Sequence, residues 1–381
     1  MPKIISHTPK SSQRSALTPF DPSAIDLVLT CQSGLETLVR RESEKLGLTE
    51  SWGQDRLVHG KWSLETLYRL LIGSRFANRV YIEVVNARIT DFDTLHDTLL
   101  GISWGEYLTG RERIVVEAAS TRSTLSHTPT IQAVAQKAIY STLYTPNHAN
   151  AVEVHILILI VDDIARIMLD ITGDALHKRG YRQESWEAPI KESLAAALVA
   201  FANWKYKEPL LDPFCGSGTI AIEAAMMARG MAPGRDRHFR IESLPFHDRA
   251  EMTSVKHIAQ MRAYPSGAYH IYASDIDPEM IRIAKRNAER ARVADDITFS
   301  VADFLQDPDN LTLQHSTIVT NPPYGNRLES RDLDEIYTKL EEDIGRYRGG
   351  FITSVDRHPG RDWSNKKLLN GSEECRYWYK K

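Results

Sequence analysis

The sequence predicts an α/β fold: a doubly wound, mostly parallel sheet with helices on both faces, preceded by smaller α+β units. Three observations support this prediction. The stretch LLDPFCGSGTIAIEAA, at 210–225, passes from an apolar run through a glycine-rich turn into a helical pattern. Two later apolar runs end in SDIDP, at 274–278, and in NPPYG, at 321–325. Open α/β sheets hold ligands beyond the carboxyl ends of their strands, so these three turns are expected to line one pocket.

Composition limits what kind of protein this is. With 381 residues the chain can form two or three domains. Its net charge is −3, so the overall charge does not indicate a nucleic-acid-binding protein. Any RNA-binding surface must therefore be local. The three cysteines have neither metal-ligand nor disulfide spacing, which predicts no metal site and a reducing cytoplasm. No apolar segment reaches membrane-spanning length, so no membrane partner is expected.

The front half alternates strand and helix patterns. Residues 1–24 are polar and rich in Ser, Thr and Pro, which predicts a flexible extension. Residues 25–85 form a small α+β unit with strands at 25–31, near 57–62 and at 79–84, and with two helices between them. Residues 86–172 continue with a helix from Asp91, the strand RIVVEAA, a helix at 130–143, and two strands joined by a tight turn at Asp162-Asp163.

Two polar segments of the front half are candidate RNA contacts. The run STRSTLSHT, at 120–128, places Arg122 and His127 before a helix, where cations and free N–H groups could meet phosphates. An ordinary solvated loop with a helix cap is the alternative.

The linker at 173–189 is the second candidate RNA contact. It interleaves cations with an aromatic ring, which suits single-stranded RNA because charge holds the backbone while rings stack on bases. A solvated linker and a cap over the cofactor pocket are the alternatives. Its candidate residues are His177, Lys178, Arg179, Tyr181 and Arg182.

The glycine turn indicates what kind of ligand the pocket takes. Gly216 and Gly218 allow close backbone approach or positive φ, and Asp212 precedes them. The turn is compatible with the dinucleotide-binding motif, because Ala221 occupies the position of the third glycine, where that motif allows alanine. A phosphate-binding loop is not indicated, because no lysine follows Gly218. The turn therefore predicts a nucleoside-like cofactor without phosphate.

DPFCGSGT, DIDP and NPPYG, in this order, resemble the class I S-adenosylmethionine-dependent methyltransferases that methylate amino groups. With the front half included, the chain resembles the THUMP-containing RNA guanine-N2 methyltransferases, a family that includes 23S rRNA enzymes. The resemblance covers nearly everything after the first two dozen residues. It implies a Rossmann-like methyltransferase domain at 190–381 with a terminal antiparallel hairpin, a ferredoxin-like unit at 25–85 and a THUMP RNA-binding domain at 86–172.

The resemblance also implies S-adenosylmethionine as cofactor and a set of residues that bind it. An acid after the second strand would accept both ribose hydroxyls; Asp275 and Asp277 are both candidates, and the D-x-D-P pattern of the family favours Asp277. Asp303 would contact the adenine amino group, with a helix cap as its alternative role. The whole implied set is Asp212, Pro213, Cys215, Gly216, Gly218, Thr219, Asp275, Asp277 and Asp303.

The motif NPPY is the expected catalytic segment. An exocyclic amine is a poor nucleophile because its lone pair is delocalised into the base. The side-chain oxygen of Asn321 and the carbonyl of Pro322 would accept its two N–H groups, with Pro323 completing the motif. Tyr324 would stack on a base swung out of its helix or loop. Positioning and charge compensation carry the catalysis, and no metal is required.

The implied function is methyl transfer to the N2 amine of a guanine in 23S rRNA. Guanine-N2 methylation of tRNA is the alternative with the same chemistry, and adenine-N6 methylation stays open because NPPY does not separate the two bases. A non-catalytic RNA-binding assembly factor would have no need of Asn321. A carbon-5 pyrimidine enzyme needs a cysteine nucleophile, and neither Cys215 nor Cys375 is suitably placed.

Overall fold

The computed structural model describes residues 26–143, 151–183, 190–267, 269–306, 316–323 and 330–380. The predictions for the extension at 1–24, for Tyr324 and for the linker beyond 183 lie outside these residues. No helix in the described ranges is long and apolar enough to cross a membrane. Within the same ranges the strands form two seven-stranded sheets, one from the front region and one from the second half of the chain.

The front sheet has the strand order β2-β3-β1-β4-β7-β6-β5, in which only the β5–β6 pair is parallel. The elements are β1 (Asp26–Thr30), α1 (Glu36–Lys45), β2 (Thr49–Gln54), β3 (Leu57–Lys61), α2 (Leu64–Gly73), β4 (Arg79–Arg88), α3 (Phe92–Leu100), β5 (Arg113–Thr121), α4 (Thr128–Thr142), β6 (Glu153–Val161) and β7 (Ile164–Asp170).

The two units predicted for the front half share this one sheet. The first half of β4 pairs with β1 and its second half pairs with β7, so the strand crosses the expected boundary at 85/86. The strand β2 was not predicted, because its sequence TESWGQ is polar and almost wholly exposed and shows no apolar alternation. On the side covered by the helices, alternate strand residues such as Leu27, Val80 and Ile158 are fully buried in the main core.

The second sheet has the strand order β10-β9-β8-β11-β12-β14-β13. Its first five strands are parallel and its last two form an antiparallel hairpin, which confirms the predicted fold class. The elements are α5 (Glu192–Phe201), β8 (Leu210–Asp212), α6 (Thr219–Ala228), α7 (Arg249–Met261), β9 (Ile271–Asp275), α8 (Pro278–Ala291), β10 (Ile297–Val301), β11 (Thr317–Thr320), α9 (Ser330–Arg346), β12 (Gly349–Thr353), β13 (Ser364–Asn370) and β14 (Glu373–Lys380).

Helices cover both faces of this sheet. Leu210 of β8 belongs to the main core with α5 and α6, whereas the next residue, Leu211, packs in a separate core with α9. Successive residues of a strand point to opposite faces, so the two cores lie on opposite sides of the sheet. In the terminal hairpin Asn370 pairs with Glu373, and Gly371 takes a φ of +66° in the turn.

The two sheets meet along the connection between α6 and β9. The backbone N–H of Gly234 donates to the carbonyl of Ile72 at 2.8 Å. The buried Arg237 donates to the carbonyls of Leu176 and Asp174. The helix α7 packs against α2 of the front region. This long connection therefore joins the two halves of the molecule.

Candidate active site

The three turns predicted to line one pocket come together at one edge of the second sheet. The parallel strands β8, β9 and β11 are neighbours and end in Asp212, Asp275 and Thr320. The Thr320 hydroxyl donates to Oδ1 of Asp212 at 2.7 Å, and Asn321 is the next residue of the chain. The glycine turn and the NPP segment therefore lie side by side.

The glycine turn leaves room for a ligand. Gly216 and Gly218 have φ values of +50° and +84°, which L-residues with a side chain rarely adopt. A Cβ atom added at Gly216 would meet nothing within 4 Å, whereas one at Gly218 would lie 3.0 Å from Cβ of Ala284 on α8. Gly218 thus allows close helix packing, and Gly216 keeps the turn open towards the pocket.

Asp212 is a buried carboxyl group, only 1% exposed. Burial raises its pKa to about 7, although hydrogen bonds from Thr320 and from the backbone N–H of Phe214 oppose this shift. Within the described ranges no cation forms an ion pair with it. A positively charged ligand group beside Asp212 would favour its ionised form.

Asp275 and Asp277 differ in what their carboxylates do. Asp275 accepts the N–H of Gly216 at 2.9 Å and the N–H of Asp277 at 3.0 Å, so it lies against the glycine turn. Burial raises its pKa above the usual value. Asp277 is exposed and caps α8 by accepting the N–H of Glu279 at 2.8 Å. The geometry favours Asp275 for the ribose, the reverse of the preference drawn from the sequence.

The other residues of the implied cofactor set hold the turn together. Pro213, Cys215 and Thr219 are buried, and the N–H of Cys215 donates to the carbonyl of Ser274 at 2.9 Å. Burial raises the pKa of the Cys215 thiol well above its usual value, as suits a packing residue. Asp303 follows β10, and one of its carboxylate oxygens accepts the N–H of Leu305. This contact within a turn is similar to the helix-cap contact that was the alternative role of Asp303.

Asn321 presents an unpaired acceptor. Its Oδ1 is buried and has no hydrogen-bond partner among the described residues. Buried polar atoms without a partner are rare in proteins. The carbonyl of Pro323 accepts the Tyr337 hydroxyl at 3.3 Å, and that hydroxyl lies 2.7 Å from Oγ1 of Thr353. Contacts from α9 and β12 therefore hold the segment, while the described part of the chain offers no donor to the Asn321 oxygen.

Three residues of this site escaped the sequence analysis. Thr320 stood next to NPPYG but had no assigned role. The fully buried Asn287 of α8 donates to the carbonyl of Ser217 at 3.1 Å, and its signal was one polar residue on an apolar helix face. Tyr337 carried no local signal, because it reaches Pro323 only through the packing of α9 on the sheet.

The linker residues proposed as RNA contacts are largely internal. Arg179 and Tyr181 are 6% and 4% exposed, so neither can reach RNA, and this prediction was wrong for both. Arg179 pairs with Glu223 of α6 at 3.5 Å and donates to the carbonyl of Arg75. The Tyr181 hydroxyl donates to the same Glu223 at 3.2 Å. These side chains connect the linker to the helix that follows the glycine turn.

The remaining linker candidates are also engaged. His177 lies 3.0 Å from the side-chain oxygen of Asn78, and burial lowers its pKa to about 4, so it carries no charge near neutral pH. Arg182 pairs with the buried Glu192 at 3.1 Å. Lys178 is the exposed member of the five candidates, and it pairs with Asp174.

The polar run at 120–128 is an ordered loop. Arg122 forms two hydrogen bonds, of 2.9 and 2.8 Å, to the carboxylate of Asp162 in the β6–β7 turn. His127 caps α4 by accepting the N–H of Thr130. Both side chains stay exposed, but the Arg122 charge is balanced. The run thus has the structure of its alternative, a solvated loop with a helix cap.

One group of side chains in the described ranges has metal-ligand geometry. The ligand atoms of Asp26, His59 and Glu83 lie within 4.8 Å of one another. However, Lys61 Nζ lies 2.7 Å from Asp26, and Arg166 Nη1 lies 2.7 Å from Nε2 of His59. Burial and the Arg166 charge lower the pKa of His59 to about 4. Since two cations already occupy the positions beside these ligand atoms, the group is an ion-pair network.

Comparison with known proteins identifies relatives along almost the whole chain. Residues 179–357 match the family described as RMKL-like, methyltransferase domain, and residues 26–81 match the RlmL ferredoxin-like domain. YpsC of Bacillus subtilis (strain 168), provisionally named an RNA methyltransferase, is 33% identical over 375 residues, which are 93% of this chain and 96% of that protein.

Two solved structures share the same fold. SMU.472, a provisionally assigned methyltransferase complexed with SAH, has 31% identity and a TM-score of 0.83, over 93% of this chain and 97% of that chain. A Listeria monocytogenes (strain 4b F2365) protein described as a "predicted N6-adenine-specific DNA methylase" has 30% identity and a TM-score of 0.84, over 94% and 96%.

Proposed function

Because the chain belongs to the RMKL-like methyltransferase family and takes its methyl group from S-adenosylmethionine, we propose that it methylates the exocyclic N2 amine of a guanine in RNA. The favoured substrate is 23S rRNA, and tRNA is the alternative. Support for RNA comes from the name of the YpsC relative and from the RlmL-type ferredoxin-like domain at 26–81.

The observation that carries the proposal is the unpaired Oδ1 of Asn321 beside the glycine turn. Leaving a buried acceptor without a donor costs about 1–3 kcal/mol, which an amine N–H of the substrate would relieve. An N–H held by this oxygen, with the second N–H held by the Pro322 carbonyl, keeps the nitrogen lone pair directed at the methyl donor. These two acceptors orient the amine, and the sulfonium of the donor supplies the activated methyl group.

The residues around the glycine turn fit this donor. Asp275 keeps lone pairs for the ribose hydroxyls beyond the two N–H groups that it already accepts. Asp212 offers a buried carboxyl group to a cationic ligand, and Gly216 leaves space for the nucleoside. Asp303 is the proposed contact of the adenine amino group.

The region at 86–172 is the proposed THUMP domain, which would hold RNA for the catalytic edge. Its loop at 120–128 exposes backbone and polar side chains, so RNA contact there would involve more than the balanced charge of Arg122. We place the protein in the cytoplasm, since its three cysteines are buried free thiols, as expected in a reducing compartment.

The test measures label transfer from radioactive S-adenosylmethionine to rRNA, tRNA and DNA isolated from cells that lack the protein. The wild type, Asn321→Ala and the exposed control Asn365→Ala are compared. Removing the acceptor should lower kcat by about 100-fold, the scale seen when one positioned polar contact is lost in an active site. The control should match the wild type.

Nucleoside analysis of the product then separates the alternatives. N2-methylguanosine in rRNA supports the proposal, and the same nucleoside in tRNA alone moves the substrate to tRNA. N6-methyladenosine in RNA would show that the base was assigned wrongly, and N6-methyl-2′-deoxyadenosine in DNA would be in line with the name of the Listeria relative. Equal background labelling by wild type and Asn321→Ala would leave a non-catalytic RNA-binding factor.

A further inference from the structure

A second pocket, of about 190 Å³, lies where the front region meets the second sheet. The front region contributes the end of α1 and the end of α2 with the turn that follows it. The other half contributes the segment after α6 and the last turns of α7. Its apolar wall includes Leu46, Ile72, Val255 and Ile258.

The pocket is lined by cations from both halves of the molecule. Lys45, Arg69 and Arg75 come from the front region and Arg262 from the residue that follows α7, and none of the described lining residues is acidic. Arg69 pairs with Glu65 at 2.6 Å, while Lys45 and Arg262 are exposed. In a chain with a net charge of −3, this is a local concentration of positive charge.

Arg75 adds a half-buried positive charge to the wall of this pocket. Its Nη2 donates to the carbonyl of Met231 at 2.6 Å, but its Nη1 is buried and has no hydrogen-bond partner among the described residues. Glu223 and Glu42 are the acidic groups that act on its charge, and Glu42 accepts its backbone N–H. Because the Nη1 atom is buried, Arg75 would act on an anionic ligand in the pocket through its charge.

This pocket is separate from the methyl-transfer site. The helix α6 starts at the glycine turn and ends at Ala228, two residues before the lining residue Gly230. The two sites therefore lie at opposite ends of this helix, whose ten residues span about 15 Å.

We propose that this interdomain pocket binds a phosphate group of a nucleotide, either in the RNA backbone or in a free phosphorylated ligand. Guanidinium and ammonium groups match phosphate oxygens, and the exposed Arg262 and Lys45 supply one of each. Beside the pocket, α7 and the residues after it expose Met261 and the ring of Tyr264. An exposed ring next to cations favours a nucleotide over a bare anion, because a base can stack there.

The test compares the full-length wild type with Lys45→Gln/Arg262→Gln, which removes the two exposed cations and spares the half-buried Arg75. The matched control is Arg56→Gln/Lys207→Gln, which removes one exposed cation from each half of the molecule, outside both the pocket and the region at 86–172. Thermal unfolding without ligand verifies that both variants fold. The probes are a fluorescent oligouridylate of about 12 nucleotides, titrated at two salt concentrations, and inorganic tripolyphosphate in thermal unfolding.

If the phosphate belongs to RNA, the pocket variant should bind the oligonucleotide about 10-fold more weakly at low salt. The salt slope should fall by about 1.4, since each lost phosphate contact removes about 0.7 for single strands. If the ligand is a free phosphorylated molecule, RNA binding is unchanged, and tripolyphosphate raises the melting temperature of the wild type and the control but not of the pocket variant. The proposal is overturned if the pocket variant matches the control with both probes.

Discussion

Asp212 is a buried carboxyl group whose ionised form is destabilised by its surroundings. Its carboxyl group is buried at the end of β8, where Thr320 and the Phe214 N–H hold it in place without a cation. Burial of an uncompensated acid favours the neutral form. The fold therefore holds a destabilised carboxylate, and the proposed cationic cofactor would stabilise its ionised form.

Replacing Asp212 by Asn should change how stability depends on pH. The folded-state pKa, about 7, lies above the unfolded value, so the stabilisation from this group is complete below pH 3.8 and is lost as pH rises through 7. Between pH 5.5 and pH 8 the free energy of unfolding of the wild type should fall by about 2 kcal/mol relative to that of Asp212→Asn. Urea unfolding of both proteins at the two pH values measures the difference.

The exposed substitution Asp93→Asn controls for the removal of a negative charge and should show no such change with pH. The Asp212→Asn variant should also bind S-adenosylmethionine more weakly above pH 7, because it cannot ionise. A constant stability difference between wild type and variant from pH 5.5 to 8 would contradict a raised pKa at this carboxyl group.

At the scale of elements, α9 contacts the proposed catalytic segment through Tyr337, and β12 contacts Tyr337 through Thr353. The Tyr337 hydroxyl lies between the Pro323 carbonyl and the Thr353 hydroxyl, and the ring is almost fully buried. The NPP segment lies beyond the end of the short strand β11, and the contact of its Pro323 carbonyl with Tyr337 restricts its backbone. Tyr337 is therefore a positioning residue.

Tyr337→Phe should lower kcat by about 5-fold, since losing one buried hydrogen bond of about 1 kcal/mol loosens the segment that would hold the amine. The dissociation constant of S-adenosylmethionine should stay unchanged, because the glycine turn is untouched. Steady-state kinetics and calorimetric titration measure the two effects. The exposed Tyr206→Phe is the matched control, and an equal loss of cofactor affinity in Tyr337→Phe would point to general disruption of the domain.

The linker is the element whose role the structure changes most. Its cations and its tyrosine suit single-stranded RNA by composition, yet Arg179 and Tyr181 both contact Glu223 inside the protein. A buried ion pair constrains position strongly, because separating its partners leaves an uncompensated charge. The linker thus couples the front region to α6, the helix that starts at the cofactor turn.

On the scale of the whole molecule, the contact between the two sheets depends on close backbone approach. A Cβ added at Gly234 would lie 2.7 Å from the carbonyl oxygen of Leu71 and 2.9 Å from Cα of Ile72. Both obstacles are backbone atoms and cannot rotate away. The junction also forms part of the wall of the interdomain pocket, so a shift of the two regions would change the shape of that pocket.

Gly234→Ala should destabilise the protein by about 1–3 kcal/mol, because overpacking at a backbone contact forces the two regions apart. Gly345→Ala in α9 is the control: its added methyl group meets nothing within 4 Å, and it should stabilise the helix by about 0.5–1 kcal/mol. Calorimetric unfolding measures both variants. An unchanged unfolding temperature for Gly234→Ala would show that the junction adapts to a methyl group.

The sequence by itself determined most elements and the turns at the proposed catalytic edge, because these depend on local patterns. Period-two and 3.6-residue alternation predicted most strands and helices, and the turns after β8, β9 and β11 follow from Gly, Pro and Asp at strand ends. Only the tertiary structure decided that β4 joins both front units in one sheet, that Asp275 faces the glycine turn, and that Arg179 and Tyr181 of the linker are buried. Each of these depends on which distant segment packs against the residue, and a local pattern carries no record of that partner.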